Sequence, residues 1–226
     1  MAATVEGKAY PMDWEALVGA EGAAYVAEKL GLPEDEISII RDGGLFHDIG
    51  KIGVPDSILL KTERLTDEEY SEIKNHPSIG AHILSNATIF KNALPIVKHH
   101  HERYDGKGYP NGLQGENIPE MARILAVADS YDAMTSNRSY RKWLPQSVVR
   151  SEIEKGKGTQ FDPDIADIML QIIDEDKEYT LRQIERTEYK ILMIGKDSEC
   201  NQRVKDILQK ESSYEVIMQN IVNVEA

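Results

Sequence analysis

"PEDEISIIRDGGLFHDIG", residues 33 to 50, is the stretch on which the fold turns. It opens with a proline and three acids, and the fixed φ and negative charge suit the first turn of a helix. Ile37, Ile40 and Leu45 carry the pattern forward, and His47 and Asp48 close it. Neighbouring residues on a helix point about 100° apart, so this pair can reach into one pocket from the same rim. An imidazole beside a carboxylate suits a first-row cation, and the second carboxylate oxygen can bridge to a neighbouring ion. Lys51 follows one turn later on the side of His47.

The same helical spacing extends outward over residues 13 to 175. In "EALVGAEGAAYVAEKLGL", Leu17, Ala20, Ala24, Ala27 and Leu30 recur at helical steps, and Gly31 is placed to end the helix. "TDEEYSEIKNHP" sets Thr66 three residues before Glu69, a capping-box spacing. "PSIGAHILSN", "ALPIVKHHHERYD", "MARILAVADSYDAMT", "LPQSVVRSEIEKGKG" and "FDPDIADIMLQIIDED" continue the series. "GKGYPNGLQGENIPEM" interrupts it as a loop of glycine, asparagine and proline. Past Glu178 the texture changes: "YKILMIG" reads as a strand, "SECNQRVKDILQKES" as an amphipathic helix and "YEVIMQN" as a second strand. The expected architecture is mainly α, a helical bundle with a short C-terminal β-α-β appendage. Its expected divisions are 1–176 for the bundle, 177–188 for a solvated linker and 189–226 for the appendage.

Bulk composition narrows the function. The 226 residues carry 26 basic and 39 acidic side chains, a formal net charge of −13. Such a surface repels phosphate backbones and excludes a general nucleic-acid binder. An anionic substrate would need a local positive centre, such as a bound cation. The single cysteine, Cys200, leaves no intrachain disulfide. "MAATVEGKAYPMDWEALVG" does not read as a signal peptide, and no apolar run approaches the roughly 18 residues of a membrane span. A cytoplasmic protein is expected.

Further donors join His47 and Asp48. His76 stands before Pro77, His100 and His101 end the next long helical piece, and Asp129 lies inside the apolar run "ILAVADSYDAM". A carboxylate among Ile124, Leu125, Val127 and Ala128 is costly to bury without a partner. Two readings are open: Asp129 pairs with an arginine while the histidines cap helices, or all of these donors converge on metal. The second accounts for every one of them at once. Nitrogen and oxygen donors of this kind fit iron or manganese better than a structural zinc site, which favours cysteine.

"HDIGKIG", "NHPSIG", "HHERYDGKGYPNGL" and "ILAVADSYDAMTSNRSYR" together resemble the HD-GYP domains, a branch of the HD-type metal-dependent phosphohydrolases. The resemblance implies an HD-type bundle with metal ligands at His47, Asp48, His76, His100, His101 and Asp129, Asp48 being the bridge. It gives Lys51, Arg138 and Arg141 the substrate phosphates, makes Asp48 and Lys51 the catalytic pair, and sets Tyr109 of Gly108-Tyr109-Pro110 in the loop beside the metals. It also implies two divalent transition-metal ions that activate water, and a bacterial signalling phosphodiesterase that cleaves cyclic di-GMP to pGpG, with a second cleavage to GMP left open. The other class open to this chain is a weakly active or inactive cyclic-dinucleotide-binding module.

One departure from the family pattern stands out. The family's first-helix histidine is absent, since no histidine precedes His47, and Glu15 occupies the aligned position. A glutamate used by some members for a third metal aligns with Pro11. Glu15 is therefore carried as a substitute ligand. His99 is expected beside the metals without touching them, His82 away from the site, and Asp132 as a hydrogen-bond acceptor behind it. Tyr131, Tyr140 and Trp143 are assigned to packing. The C-terminal unit is similar to the start of a receiver domain, but Gly195 and Lys196 stand where its acids belong. Contact with a protein partner or a second copy is its expected role.

Overall fold

The computed structural model describes residues 2–5, 8–11, 14–136, 143–179, 189–195 and 214–220, with side chains over 19–136 and 143–179. Backbone contacts divide the chain into two compact units, one of residues 13–183 and one of residues 1–12 with 184–226.

In the first unit α1 (Trp14–Leu30) is followed by α2 (Glu34–Phe46), a 3-10 turn over Ile49–Gly53 and the single turn α3 (Asp56–Leu59). Then come α4 (Asp67–Ile73), α5 (His76–Ser85) and α6 (Leu94–His99). After a long loop, α7 (Glu120–Thr135), α8 (Gln146–Gly156) and α9 (Pro163–Glu175) complete the unit. The expected helical bundle is present. α1 ends where Gly31 takes a positive φ of 79°, which a side chain would oppose. The capping box at α4 forms as its spacing predicts: Glu69 N–H donates to Thr66 Oγ1 at 3.2 Å, and Thr66 N–H to Glu69 Oε2 at 2.8 Å.

Small residues bring the central helices together. Ala23, Ala24 and Ala27 of α1 are at most 1% exposed and let α2 and α7 lie close against it. Ile37 and Ile40 of α2 join Ile124, Leu125 and Val127 of α7, Val149 and Ile153 of α8, and Ile165, Met169 and Leu170 of α9 in one core. Each such side chain contributes roughly 1.5–3 kcal/mol when fully buried. The α7–α9 corner is closed by a buried ion pair: Arg123 Nη1 donates to Asp162 Oδ2. Oδ1 of the same carboxylate caps α9, accepting from Asp164 N at 2.9 Å and Ile165 N at 3.3 Å.

The second unit holds two separate two-stranded sheets. β1 (Ala2–Val5) and β2 (Lys8–Pro11) pair antiparallel, Val5 opposite Lys8. The sequence reading did not anticipate them, because four-residue strands of small and polar residues show no apolar alternation. β3 (Tyr189–Gly195) and β4 (Tyr214–Asn220) are the two C-terminal strands expected, and they pair in parallel, Tyr189 opposite Tyr214. The helix expected between them lies outside the described residues. Among the described residues no helix is long and apolar enough to cross a membrane.

Candidate metal centre

Three helix ends meet at one point, each delivering a histidine. His47 caps the C-terminus of α2, His76 begins α5 just past the end of α4, and His100 caps α6. Each ring turns its Nδ1 back to the carbonyl three residues earlier. His47 Nδ1 donates to Gly44 O at 2.6 Å, His76 Nδ1 to Ile73 O at 2.7 Å and His100 Nδ1 to Val97 O at 2.8 Å. A carbonyl only accepts, so the proton is on Nδ1 and each Nε2 is turned to the centre. The histidines thus cap helices and converge as well, which joins the two readings left open by the sequence.

Asp48 lies in the middle, with its two oxygens facing different ways. Oδ2 is 3.3 Å from His47 Nε2 and accepts from Lys51 Nζ, while Oδ1 is 3.2 Å from His76 Nε2. Asp129 of α7 approaches from the first side, its Oδ1 3.7 Å from His47 Nε2. On the second side His76 Nε2 and His100 Nε2 stand 3.3 Å apart, and the His100 and His101 ring centres are 4.1 Å apart. One ligand atom from each of Asp48, His76, His100 and His101 falls within 4.8 Å of all the others.

These donors fit a cation. Asp48 Oδ1 is buried and receives no hydrogen bond, and the bare Nε2 atoms of neighbouring imidazoles face each other across a hydrogen-bond length. Only positive charge between them makes such a cluster of acceptors tolerable. The His/Asp group can therefore hold a metal.

Electrostatics agree with this arrangement. Burial opposes a charge on His47, yet the Asp48 carboxylate, with Asp129 behind it, holds its pKa up at about 9. Burial also opposes ionisation of Asp48, but His47 and then Lys51 keep its carboxyl well below the usual range. Burial pushes His100 well below the ordinary imidazole value and His101 down to about 3, so both rings are neutral, the form that ligates metal.

Backbone fit fixes the geometry. A Cβ on Gly50 would stand 1.9 Å from His76 O, so only glycine lets the turn after Asp48 pass the start of α5. A Cβ on Gly108 would stand 2.3 Å from Arg103 N, which seats the glycine-rich loop directly on the chain following His101. Tyr109, next in that loop, lays its ring 4.8 Å from the His101 ring at 34°, and its bond to Pro110 is cis. Burial pushes its phenol pKa up.

His47, Asp48, Lys51, His76, His100, His101, Tyr109 and Asp129 are thus gathered at one place. Arg138, Tyr140 and Arg141 lie outside the described residues, as does the Glu15 side chain, whose backbone belongs to the first turn of α1. His99 Nδ1 lies 3.6 Å from Glu102 Oε1, and His82 is exposed. Asp132 is buried and accepts from Ser136 Oγ at 2.9 Å. Tyr131 belongs to the core, whereas Trp143 is 39% exposed and meets the Tyr179 ring edge-on. Two local expectations are corrected. The His47-Asp48 pair is at a helix end running into a 3-10 turn, with Asp48 at φ −96° and ψ 3°, because Gly50 must pass under α5. His100 and His101 follow a helix of only six residues, since α6 starts afresh at Leu94-Pro95.

Sequence reasoning missed Glu102. Its carboxylate is fully buried and accepts from Asn111 N at 2.7 Å and Leu113 N at 3.0 Å, tying the loop down. An acid wedged between a run of histidines and a glycine-rich loop was the available signal.

Comparison with known proteins places this geometry. Residues 12–165 match the family model described as the HD domain. The cyclic di-GMP phosphodiesterase response regulator RpfG of Xanthomonas campestris is 47% identical over 152 residues, 66% of this chain and 40% of that protein. The 3'3'-cGAMP-specific phosphodiesterase 2 of Vibrio cholerae is 38% identical over 152 residues, 66% of this chain and 29% of that protein. A solved HDG"Y"P protein of Bdellovibrio bacteriovorus shares the fold with a TM-score of 0.58 at 18% identity, over 71% of this chain and 51% of that one. The chain belongs to the HD domain family. It spans well under half the length of the two relatives compared.

Proposed function

We propose that the helical unit is a metal-dependent phosphodiesterase that opens cyclic di-GMP to linear pGpG, with a second cleavage to GMP left to product analysis. The observation behind this reading is the convergence of Nδ1-anchored imidazoles on a carboxylate whose inner oxygen meets no donor. The likeness to a cyclic di-GMP phosphodiesterase supports the choice of substrate.

The donor set suits two divalent ions, iron or manganese. His47, Asp129 and Asp48 Oδ2 would serve one, and Asp48 Oδ1, His76, His100 and His101 the other, with Asp48 as the bridge. When bound, such a pair supplies a nucleophile at neutral pH and offsets the negative charge of the phosphodiester. Lys51, whose ammonium already reaches Asp48, is placed to steady a non-bridging phosphate oxygen. Tyr109 walls the cluster on the loop side, keeping water out and orienting the nucleotide. Arg138 and Arg141 are assigned to phosphate and Glu15 to the metal by family resemblance. We read residues 1–176 as the catalytic domain, 177–188 as its linker, and 189–226 as a receiver-like piece that contacts a protein partner or a second copy. The setting is cytoplasmic.

A second reading, a cyclic-dinucleotide-binding module of weak turnover, draws on one observation: no histidine precedes His47. The test is metal analysis of protein purified without oxygen, followed by product analysis with cyclic di-GMP and 3'3'-cGAMP. Two ions per chain and release of pGpG are expected. Tight binding without cleavage favours the module, and preferential cleavage of 3'3'-cGAMP overturns the substrate. Glu15→Ala tests the departure directly: a loss of metal relative to the parent chain makes Glu15 a ligand.

A further inference from the structure

Beside the cluster lies a cation that the ligand set does not use. Lys74 caps α4, two residues before His76, and is half-buried. Its Nζ stands 4.5 Å from the centre of the Tyr70 ring and 5.9 Å from that of Tyr109. In a chain with 39 acidic residues, no carboxylate lies within salt-bridge distance of Lys74 among the described residues. Contact with ring faces holds an ammonium in place through the aromatic quadrupole but leaves its charge uncancelled. An ion pair would have spent that charge. Tyr109 is the shared element, since the ring that faces Lys74 also lies against His101. The two contacts laid end to end put Nζ within about 11 Å of the His101 ring centre, a span that one bound dinucleotide can bridge.

We propose that Lys74, cradled by Tyr70 and Tyr109, binds the second phosphate of the cyclic dinucleotide, the one that is not being cleaved. This rests on the phosphodiesterase reading above and adds to it a phosphate contact on α4. A cyclic dinucleotide carries two phosphodiesters, and with one held at the metal ligands the other must leave the cluster along its wall. Lys74 gives that group a charge-assisted hydrogen bond and favours substrates with two phosphates over those with one.

The experiment compares the parent chain with Lys74→Gln, Lys74→Arg and Tyr70→Ala, all loaded with manganese. Cyclic di-GMP is the substrate, and bis(p-nitrophenyl) phosphate is a probe with a single phosphate. Lys74→Gln is expected to lower kcat/KM for cyclic di-GMP about tenfold, mostly through KM, the size of effect one charge-assisted contact carries. The loss on the one-phosphate probe is expected to be far smaller. Lys74→Arg should recover most of the loss, and Tyr70→Ala should show part of it, with metal content equal throughout. Equal losses on both substrates, or tight binding of cyclic di-GMP that Lys74→Gln does not weaken, would overturn the role of Lys74 while leaving the substrate reading intact. A parent chain that cleaves the probe but neither binds nor cleaves cyclic di-GMP would overturn the substrate reading itself, and this contact with it.

Discussion

Two carboxylates that each hold an oxygen out of solvent are built from opposite materials. Asp162, at the α7–α9 corner, is surrounded by donors: the Arg123 guanidinium on one oxygen and two backbone amides on the other. Asp48 has donors only on its outer oxygen, where His47 and Lys51 sit, and its inner oxygen faces the bare nitrogen of His76. The first carboxylate is satisfied by the chain itself and holds two helices together. The second is satisfied only when a cation is supplied. A buried acid therefore reveals its role through what meets it, and burial alone says little.

The sharpest way to break this contrast is to neutralise each acid in turn. Asp48→Asn should strip the metal and lower phosphodiesterase activity by about a thousandfold or more, since it removes the proposed bridge. Its melting temperature should fall by less than that of Asp162→Ala, because the amide still offers Lys51 an acceptor and the inner oxygen loses no donor. Asp162→Ala should do the reverse. Stranding Arg123 and uncapping α9 should cost about 3–5 kcal/mol in denaturant unfolding, while metal content per folded chain is unchanged. A large stability loss in Asp48→Asn, or metal loss in folded Asp162→Ala, would erase the distinction.

A third acid sharpens it. Glu102 resembles Asp162 in being met by donors, but those donors belong to the loop that carries Tyr109. Glu102→Gln keeps one acceptor oxygen and turns an amide toward the other N–H, so it should cost about 1–3 kcal/mol. Hydrogen exchange at the Asn111 and Leu113 amides should quicken, with core amides on α7 unaffected.

The smallest effect concerns protons. His47 is held at about 9 by Asp48 and Asp129 against the opposing effect of burial, so at pH 7 it carries a proton that an arriving metal must displace. Metal affinity should therefore rise from pH 7 towards pH 9 and flatten above, with about one proton released per chain at pH 7. Calorimetry in buffers of different ionisation enthalpy measures that release, and none should come from His47 in a His47→Ala chain.

Much of this was legible in the sequence. Ala24, Ala27, Ile37, Ile40 and Leu125 lie on the faces their spacing indicates, because helix burial follows a local periodicity. The histidines and Asp129 that the fold gathers also stood out, since polar residues at helix ends and inside an apolar run break the pattern around them. What escaped depends on contacts between distant segments. Gly50 matters because of the carbonyl of His76, and Glu102 because of amides nine and eleven residues on. The hairpin of β1 and β2 escaped for a different reason, being too short and too polar to show alternation.

The attachment of Glu102 has a mechanical consequence. It follows His101 directly in the chain and grips the tip of the glycine-rich loop, while Tyr109 N–H donates to the His101 carbonyl at 3.2 Å. The loop is thus riveted to the backbone of the histidine it covers. It cannot swing like a hinged flap while His101 stays put; lifting it either shears the Glu102 rivets or drags the histidine along. Admission of a ligand and readiness of the centre are in this way geared to one another through a single corner of the chain.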